Sequence, residues 1–501
     1  MTELLANLAL GFGVALSWQN LLYCLIGTLL GTLIGVLPGI GPVTTIAMLL
    51  PITFKLEPLS ALIMLAGIYY GSQYGGSTTA ILVNLPGEAS SIVTTLDGHQ
   101  MAKQGRAGDA LAVAALGSFF AGCVGTLLIA AAGPPLAGLA QKFGPAEYFS
   151  LMVLGLVAAV VMASGSVLKS FAMIFFGLLL GLVGTDVDTG AMRYTFGIGE
   201  LSDGVSFVGL AMGLFGIAEI LRNLDGAETD RSVLNSKVSG LLPKMSVLRD
   251  SVPSVLRGTG LGSVLGLLPG GGAVLASFAA YTLEKKIARD PSRFGQGAIE
   301  GVAGPESANN AAAQTSFIPM LTLGIPSNAV MALMVGAMII QGIEPGPEVM
   351  TKRPDLFWGM VASMWVGNLM LVIINLPLIG MWVSLLRVPY RLMFPAIMLF
   401  CCIGVYTLNN SSFEVFMAAG FGLMGYMLLK FGFEPTPLLL GFILGPLMEE
   451  NLRRAMRYSQ GDPSVFIERP LSATLLGLSA VFMVVAVLPA VRKKRDDVFT
   501  E

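Results

Sequence analysis

The sequence predicts an all-α polytopic membrane protein built from two structural repeats. Hydrophobic residues make up 54% of the 501 residues and charged residues only 12%, whereas a soluble domain carries about a quarter charged residues. Long windows hold no charge, such as "LMVLGLVAAVVMASGSVL" (151–168) and "SATLLGLSAVFMVVAVLPAV" (472–491). A motif rich in glycine and proline occurs twice within the apolar sequence. The composition therefore excludes a soluble protein, and the duplicated motif indicates two related halves.

The apolar segments set the expected number of membrane spans. A spanning helix needs about 20 apolar residues, which gives roughly ten to twelve spans here. The clearest segments are 18–37, 108–132, 147–164, 168–185, 205–221, 356–384, 394–408, 413–430 and 471–491. Regions 42–100 and 270–345 are interrupted by Gly, Pro, Asn, Ser and Thr, so they predict broken helices and re-entrant hairpins rather than simple spans.

The duplicated motif reads "GTLLGTLIGVLPGIG" from Gly27 and "GTGLGSVLGLLPGGG" from Gly258, and nine of the fifteen aligned positions are identical. A polar segment, 223–257, lies between the copies. We therefore predict a first half at 1–222 with its break near 38–42 and a hairpin at 71–91. After a polar loop at 223–257, the second half at 258–450 has its break near 269–272 and a hairpin at 300–330. A last span with a basic tail occupies 451–501.

Each motif combines two patterns with different expected roles. Gly27, Gly31 and Gly35 are spaced as G-x-x-x-G-x-x-x-G, as are Gly258, Gly262 and Gly266, and this spacing is typical of close helix packing. The "PGIGP" and "PGGG" sequences that follow cannot continue comfortably as helix. Paired helix breaks in corresponding halves indicate the central site of a transporter, where helix N-termini suit carboxylates and unwound carbonyls suit Na⁺.

The candidate binding residues lie in and beside these breaks. Any one polar side chain among them has a structural alternative, as a hydrogen bond between helices, and their concentration beside the breaks favours a site. Glu88, Glu300 and Glu306 are the nearest acids, either as ion or proton sites or at the membrane surface. The candidates are Pro38, Gly39, Gly41, Thr44, Thr45, Ser77, Thr78, Thr79, Asn84, Ser90, Ser91, Pro269, Gly270, Gly272, Asn309, Asn310, Ser327 and Asn328.

Several classes of chemistry have no support in the sequence. It contains no G-x-x-x-x-G-K-[ST] motif, no H-E-x-x-H motif and no G-x-S-x-G motif with a partner histidine. The single histidine, His99, has no Cys or His cluster around it, and the four cysteines lie in apolar segments. We therefore expect no catalytic residues, no cofactor, and no metal beyond Na⁺ as a coupling ion.

Four long segments resemble one family. They are "GVLPGIGPVTTIAMLLPITF", "AGIYYGSQYGGSTTAILVNLPGEASSIVTTLDGHQMAKQGRAGDAL", "FGQGAIEGVAGPESANNAAAQTSFIPMLTLGIPSNAV" and "IIQGIEPGP". In this order they are similar to the large permease subunit of the bacterial tripartite tricarboxylate transporters, over roughly residues 18 to 450. The resemblance implies carboxylate import driven by a cation gradient, generally Na⁺, together with a small membrane subunit and a periplasmic substrate-binding protein. Ser327 stands where that family more usually has glycine, so no specific substrate is transferred.

These observations combine into one expected arrangement. We predict a multi-pass inner-membrane protein with two inverted repeats and an elevator-type motion, surrounded by lipid and without a nucleic-acid partner. The basic tail "RKKR" (492–495) and the 223–257 loop should be cytoplasmic by the positive-inside rule. A standalone organic-anion carrier and a membrane-embedded enzyme remain the alternatives, and the enzyme lacks a visible catalytic group.

Overall fold

The computed structural model describes residues 2–37, 41–162, 166–186, 188–225, 243–268, 272–385 and 390–487. The helices of the first half are α1 (Thr2–Ala15), α2 (Trp18–Val36), α3 (Pro42–Thr53), α4 (Pro58–Val83), α5 (Ile92–Lys103), α6 (Ala107–Ala140), α7 (Pro145–Met162), α8 (Val167–Gly181), α9 (Phe207–Ala211) and α10 (Ala218–Asp225). A π-helical turn, Met212–Ile217, joins α9 to α10, and an antiparallel pair of two-residue strands, β1 (Gly184–Thr185) and β2 (Met192–Arg193), precedes them.

The second half continues the helical pattern. Its helices are α11 (Met245–Gly266), α12 (Gly272–Ile287), α13 (Glu300–Thr315), α14 (Phe317–Leu323), α15 (Ala329–Ile340), α16 (Pro347–Lys352), α17 (Pro354–Asn375), α18 (Ile379–Leu385), α19 (Tyr390–Asn409), α20 (Ser412–Lys430), α21 (Pro435–Tyr458), α22 (Val465–Glu468) and α23 (Pro470–Val487). Short 3₁₀ turns occur at Ala89–Ser91, Gly199–Leu201 and Pro291–Arg293.

The helical content confirms the predicted class of polytopic α-helical membrane protein. Within the described ranges, five helices are long and apolar enough to span a bilayer: Trp18–Val36, Ala107–Ala140, Phe207–Asp225, Pro354–Asn375 and Ser412–Lys430. Seven shorter apolar helices accompany them in the same ranges. The number of spans, ten to twelve, stays a prediction.

Two predicted boundaries were wrong. The 356–384 segment is not one span, because α17 ends at Asn375 and α18 begins at Ile379. Pro377 lies in the gap and cannot donate the hydrogen bond that a continuous helix needs. The 223–257 segment is not a loop throughout, since α10 continues to Asp225 and α11 begins at Met245. Apolar side chains on α11, including Val247 and Leu248, pack against the core, so one face of this polar segment is buried.

The glycine stripes confirm the predicted helix packing. On α2, a Cβ added to Gly31 would lie 2.5 Å from the carbonyl oxygen of Ile68 on α4. On α11, a Cβ added to Gly262 would lie 2.2 Å from the carbonyl oxygen of Ala308 on α13. The other stripe positions, Gly27, Gly35, Gly258 and Gly266, meet the same neighbouring helices equally closely. The absence of side chains therefore lets each pair of backbones approach.

Each glycine-packed pair is covered by a helix from the other half. Helix α17, from the second half, packs on α2 and α4, where the Asn375 amide donates to Thr32 Oγ1 at 3.3 Å. Helix α6, from the first half, packs on α11 and α13, where the Asn310 amide donates to Ser118 Oγ at 2.8 Å. The two halves are therefore interlocked rather than side by side.

Several of the other helices form a second layer. Helix α21 packs along α7 and α8, α20 packs along the Phe207–Asp225 helix, and α23 packs along α7. At the far end of α21, Arg453 forms an ion pair with Asp186 at 2.7 Å beside the β1–β2 hairpin. The Arg453 guanidinium holds the pKa of Asp186 well below its usual range. This ion pair fixes the hairpin to the end of α21.

Candidate functional site

The helix starts that follow the two glycine-proline motifs meet at one cavity. The cavity has a volume of about 460 Å³ and is lined by the first residues of three helices. These are Gly41–Val43 at the start of α3, Gly272–Leu275 at the start of α12, and Asn328–Val330 at the start of α15. The first N–H groups of a helix have no partner within the helix, and its N-terminus carries a partial positive charge. Three such ends around one cavity can bind an anion.

Local sequence explains why the chain turns into the cavity at these points. Pro42 is the first residue of α3, where its fixed φ suits the helix and no N–H is lost. Gly272 opens α12 with φ at 53°, a conformation that favours glycine. Asn328 caps α15, because its side-chain oxygen accepts a hydrogen bond of 3.0 Å from the Met331 N–H.

Polar side chains from α4 and the turn after it form one wall. The Gln73 amide donates to Glu88 Oε2 at 3.1 Å, and the Ser90 hydroxyl donates to Gln73 Oε1 at 2.7 Å. Ser90 also contacts the Glu88 carboxylate directly. Tyr69, one turn before Gln73 on α4, lines the same wall and lies 3.4 Å from the Asn328 amide nitrogen. This wall can donate and accept hydrogen bonds with a bound ligand.

The opposite wall comes from the second layer of helices. It consists of Ala159 on α7, Glu434 just before α21, and Thr436, Pro437 and Leu440 within α21. No Lys, Arg or His is present among the described residues that line the cavity. Among the described lining residues, the helix N-termini are therefore the groups that carry partial positive charge.

The structure brings four of the sequence candidates to the cavity: Gly41, Ser90, Gly272 and Asn328. A Cβ added to Gly41 would meet no atom within 4 Å, so this glycine opens onto free space. Four further candidates, Pro38, Gly39, Pro269 and Gly270, lie outside the described residues.

Six candidates bond to backbone carbonyls or neighbouring turns. Thr44 donates to the Phe215 carbonyl at 2.8 Å, and Thr45 donates to the Gly41 carbonyl at 3.1 Å. The hydroxyls of Thr78, Thr79, Ser91 and Ser327 donate to the carbonyls of Tyr74, Val36, Glu88 and Ser316. Asn84 ends α4 in the left-handed conformation and is exposed. None of these seven residues lines the described cavity.

Ser77, Asn309 and Asn310 belong to a separate interior network. It is centred on the fully buried Glu306 carboxyl group, which lies 2.5 Å from Ser77 Oγ and 3.2 Å from the Asn309 amide nitrogen. Asn310 donates to the Glu306 carbonyl at 3.0 Å. The candidates thus divide between an open cavity and an interior network next to it.

Sequence reasoning missed Tyr69, Gln73 and Thr436. Tyr69 and Gln73 are four residues apart on α4, so their spacing places them on one helix face and could have identified them. Thr436 lies far along the chain in an ordinary apolar helix, and no local pattern marks it.

Comparison with known proteins identifies the family. The chain is 60% identical over 501 residues to an Agrobacterium vitis protein described as an uncharacterized 52.8 kDa protein in the TAR-I ttuC' 3' region, covering all of both chains. It is 63% identical over 240 residues to an uncharacterized protein in the TAR-II ttuC' 3' region of the same organism, covering 48% of this chain and 99% of that one. No solved structure matches. The family model described as "Tripartite tricarboxylate transporter TctA family" matches residues 21–440, and the chain belongs to this family of membrane transporters.

Proposed function

We propose that this chain is the substrate-translocating subunit of a secondary transporter that imports a di- or tricarboxylate or a related organic anion. The observation that carries the proposal is the convergence of the α3, α12 and α15 N-termini on one cavity of about 460 Å³. The N-terminus of a helix has N–H groups without a partner in the helix and a partial positive charge, and both favour a bound anion. The cavity is large enough for a small polycarboxylate, since ligand pockets start at about 300 Å³.

The charges around the cavity support coupling to a cation, which we propose to be Na⁺. Glu88 and Glu434 line the cavity, and the described lining contains no basic side chain. A carboxylate substrate adds further negative charge at this place. Because like charges in a partly desolvated cavity repel strongly, binding is favoured when a cation enters with the substrate. Carboxylate, amide and hydroxyl oxygens such as those of Glu88, Gln73 and Ser90 suit Na⁺.

The directions of equivalent helices support an inverted repeat. Helices α4 and α13 each pack on the glycine stripe of their own half, which makes them equivalent. Ser77 contacts Glu306, whereas Tyr69, earlier on α4, packs against Phe317, which follows α13. The contact that is earlier on α4, at Tyr69, is made with the residue that is later in the second half, Phe317. This order is the one expected for two helices that run in opposite directions. Opposite directions are what an inverted repeat requires.

The two layers support an elevator-type motion. The glycine-packed pairs and their covering helices carry one wall of the cavity, whereas α7 and α21 provide the other. Sliding of one layer against the other would move the cavity across the bilayer with its ligand. We therefore assign the α2–α6 and α11–α18 layer as the moving part and the α7–α10 and α19–α21 layer as the scaffold.

Adjacent helix ends support the proposed orientation in the inner membrane. Ser150 near the start of α7 contacts Ser472 near the start of α23 at 2.7 Å, so α7 and α23 run side by side in one direction. The end of α7 leads into α8, where Lys169 donates to the Phe431 carbonyl, and Lys430 pairs with Asp225. This brings the end of α23 and Asp225 to the same side. Because the basic tail follows α23 in the sequence, we propose that this side is the cytoplasm.

We propose that the chain works with a small membrane subunit and a periplasmic substrate-binding protein, as the family name "tripartite" implies. The alternative is a standalone carrier. Reconstitution of this chain alone and with both partners distinguishes the two. Uptake that does not depend on the partners would favour the standalone carrier.

Counterflow and uptake measurements in proteoliposomes test the proposed function. Radiolabelled di- and tricarboxylates are supplied outside with Na⁺, and a parallel sample has K⁺ in its place at the same membrane potential. We expect uptake with Na⁺ and its collapse in K⁺. Undiminished uptake in K⁺ would contradict Na⁺ coupling, and no uptake of any carboxylate by the complete assembly would contradict the transport function.

A further inference from the structure

The Glu306 carboxyl group lies in the contact between the two halves. It is fully buried on α13. Ser77 Oγ on α4 lies 2.5 Å from Oε2, and the Asn309 amide nitrogen lies 3.2 Å from the same oxygen. Thr94 on α5 contacts the other oxygen, Oε1. All three partners are neutral hydroxyl or amide groups.

The surroundings supply no positive charge for this carboxyl. Arg257 lies on α11, which packs on α13. It forms an ion pair with Glu284 on α12 at 2.6 Å. Asp97 on α5 accepts hydrogen bonds from the Gly295, Gly297 and Ala298 N–H groups and from Tyr281. The remaining titratable groups on the elements that pack against α13 are Tyr69, Tyr70 and Tyr74 on α4, Glu88 before α5, His99 and Lys103 on α5, Asp109 and Cys123 on α6, Arg249 and Asp250 on α11, and Lys285 and Lys286 on α12. The cations in this set, Lys103, Arg249, Lys285 and Lys286, are all exposed. Burying an unpaired carboxylate here would be very unfavourable.

Space excludes a metal ion from the same position. Both carboxyl oxygens are in direct contact with side chains, and Asn309 presents its NH₂ group rather than its oxygen. A small opening beside Ser77, lined also by Tyr74, Thr78 and Ser118 among others, has a volume of only about 10 Å³, and Glu306 does not line it. A proton needs no such space.

The number of hydroxyl protons also favours a protonated acid. Ser77 Oγ lies 2.9 Å from the Gln73 carbonyl and 2.5 Å from Glu306 Oε2, and both of those atoms are acceptors in a carboxylate form. A serine hydroxyl has only one proton to donate. If that proton is donated to the Gln73 carbonyl, then the short contact with Glu306 is satisfied by a proton on the carboxyl group.

A continuous set of contacts joins Glu306 to the cavity. Ser77 bonds to the backbone of Gln73, and the Gln73 side chain bonds to Glu88, which lines the cavity. The cavity wall and the Glu306 contacts are therefore joined through α4. Asn310, in the same network, has a buried side-chain oxygen without a partner among the described residues, so the network is not saturated.

We propose that Glu306 is a proton-binding site of this transporter, separate from the cavity. Its carboxyl group is protonated when α4, α5 and α13 are packed together. When those contacts open, the O–H bond breaks and the proton passes to water admitted from the cavity; the reverse step restores it. No other reactant is needed. The role in transport rests on the proposed function, whereas the protonated state does not.

Infrared spectroscopy of the purified protein tests the protonated state directly. A neutral carboxylic acid has a C=O stretch that is absent from a carboxylate. We expect the wild type to show this band and Glu306→Gln to lose a part of it that corresponds to one group. The matched control is Glu284→Gln, because Glu284 is also buried but forms an ion pair with Arg257, and this variant should keep the band. An unchanged band in Glu306→Gln would overturn the proposal.

Transport at different pH values tests the role of the site. A Gln side chain resembles the protonated acid and cannot ionise. Wild-type uptake should therefore fall about tenfold for each pH unit above the point of proton release, and Glu306→Gln uptake should stay level over that range. Equal pH dependence in wild type and Glu306→Gln would overturn the proposal.

A third measurement separates a proton from Na⁺. Thermal unfolding is followed with and without Na⁺ for the wild type and Glu306→Gln. The proposal expects the same Na⁺-induced shift in both proteins, and loss of the shift in Glu306→Gln would identify Glu306 as a Na⁺ ligand instead. If neither the wild type nor Glu306→Gln transports any carboxylate, then the proposed function fails. The infrared result still decides whether Glu306 is protonated.

Discussion

The substitution Gly262→Ala tests whether the close packing of α11 on α13 stabilises the second half. The new Cβ would lie 2.2 Å from the Ala308 carbonyl oxygen on α13. A carbon and a carbonyl oxygen normally approach to about 3.3 Å, so α11 and α13 must separate by about 1 Å. A gap of that size removes roughly a quarter to a half of the dispersion energy between facing atoms.

The expected loss of stability follows from that separation. Overpacking a buried contact costs about 1–3 kcal/mol, and the Ala308 backbone in the middle of a helix cannot rotate away as a side chain would. Alanine recovers up to about 1 kcal/mol through its higher helix propensity. We therefore expect Gly262→Ala to be destabilised by roughly 1–2 kcal/mol. Its yield of monodisperse protein should fall more than its uptake per folded molecule.

Gly260→Ala is the matched control on the same helix. Gly260 is exposed, and an added Cβ would meet no atom within 4 Å. This variant should be as stable as the wild type or slightly more stable, because only the helix-propensity term remains. The assay is thermal unfolding in detergent with size-exclusion yield for both variants. Equal midpoints and yields for Gly262→Ala and Gly260→Ala would refute the packing argument.

Four further outcomes are expected. Gly41→Ala should retain normal yield but reduce uptake per folded molecule, because its methyl group enters the cavity without a clash; Gly272→Ala should do the same at an additional cost of about 1 kcal/mol for φ at 53°. Arg453→Ala should release the hairpin, measured as faster proteolysis there. The pKa of Asp186 is lowered in the folded protein. The stability that this ion pair contributes is therefore present above the pKa of the unfolded carboxyl group and is lost as the pH falls toward the folded pKa. The stability difference between Arg453→Ala and the wild type should shrink in acid. A single cysteine placed after Arg495 should be labelled by an impermeant thiol reagent from the cytoplasmic side, and labelling from the periplasm would contradict the proposed orientation.

The parts of the fold that depend on local spacing could be predicted from the sequence. The glycine stripes were assigned correctly because residues four apart share a helix face wherever the helix lies. The starts of α3 and α12 could be predicted because proline and glycine restrict the backbone within a few residues of themselves. The helix from Met245 was missed, since its charged residues were read as a loop although its apolar face is buried.

The site as a whole depends on contacts that no local pattern encodes. Glu306 meets Ser77 across 229 positions of the chain. Thr436 reaches the cavity only because α21 packs along α7 and α8. The side chains of Ser77 and Asn309 are polar enough for a binding site. Their position in the interior network nevertheless depends on how α4 and α13 cross. Such crossings are decided by the packing of the whole molecule.

The interlocked halves have a consequence for biogenesis. Helices α2 and α4 leave the ribosome early, but the helix that covers them, α17, is not complete until Asn375 has been synthesised. Helix α6 is likewise synthesised before its packing partners α11 and α13. The nascent first half must therefore remain in the bilayer with unfinished lateral surfaces, open to lipid or to insertion factors, while more than a hundred further residues are added. Assembly of this protein is completed by its second half, and a substitution in α17 can stop maturation of helices made long before it.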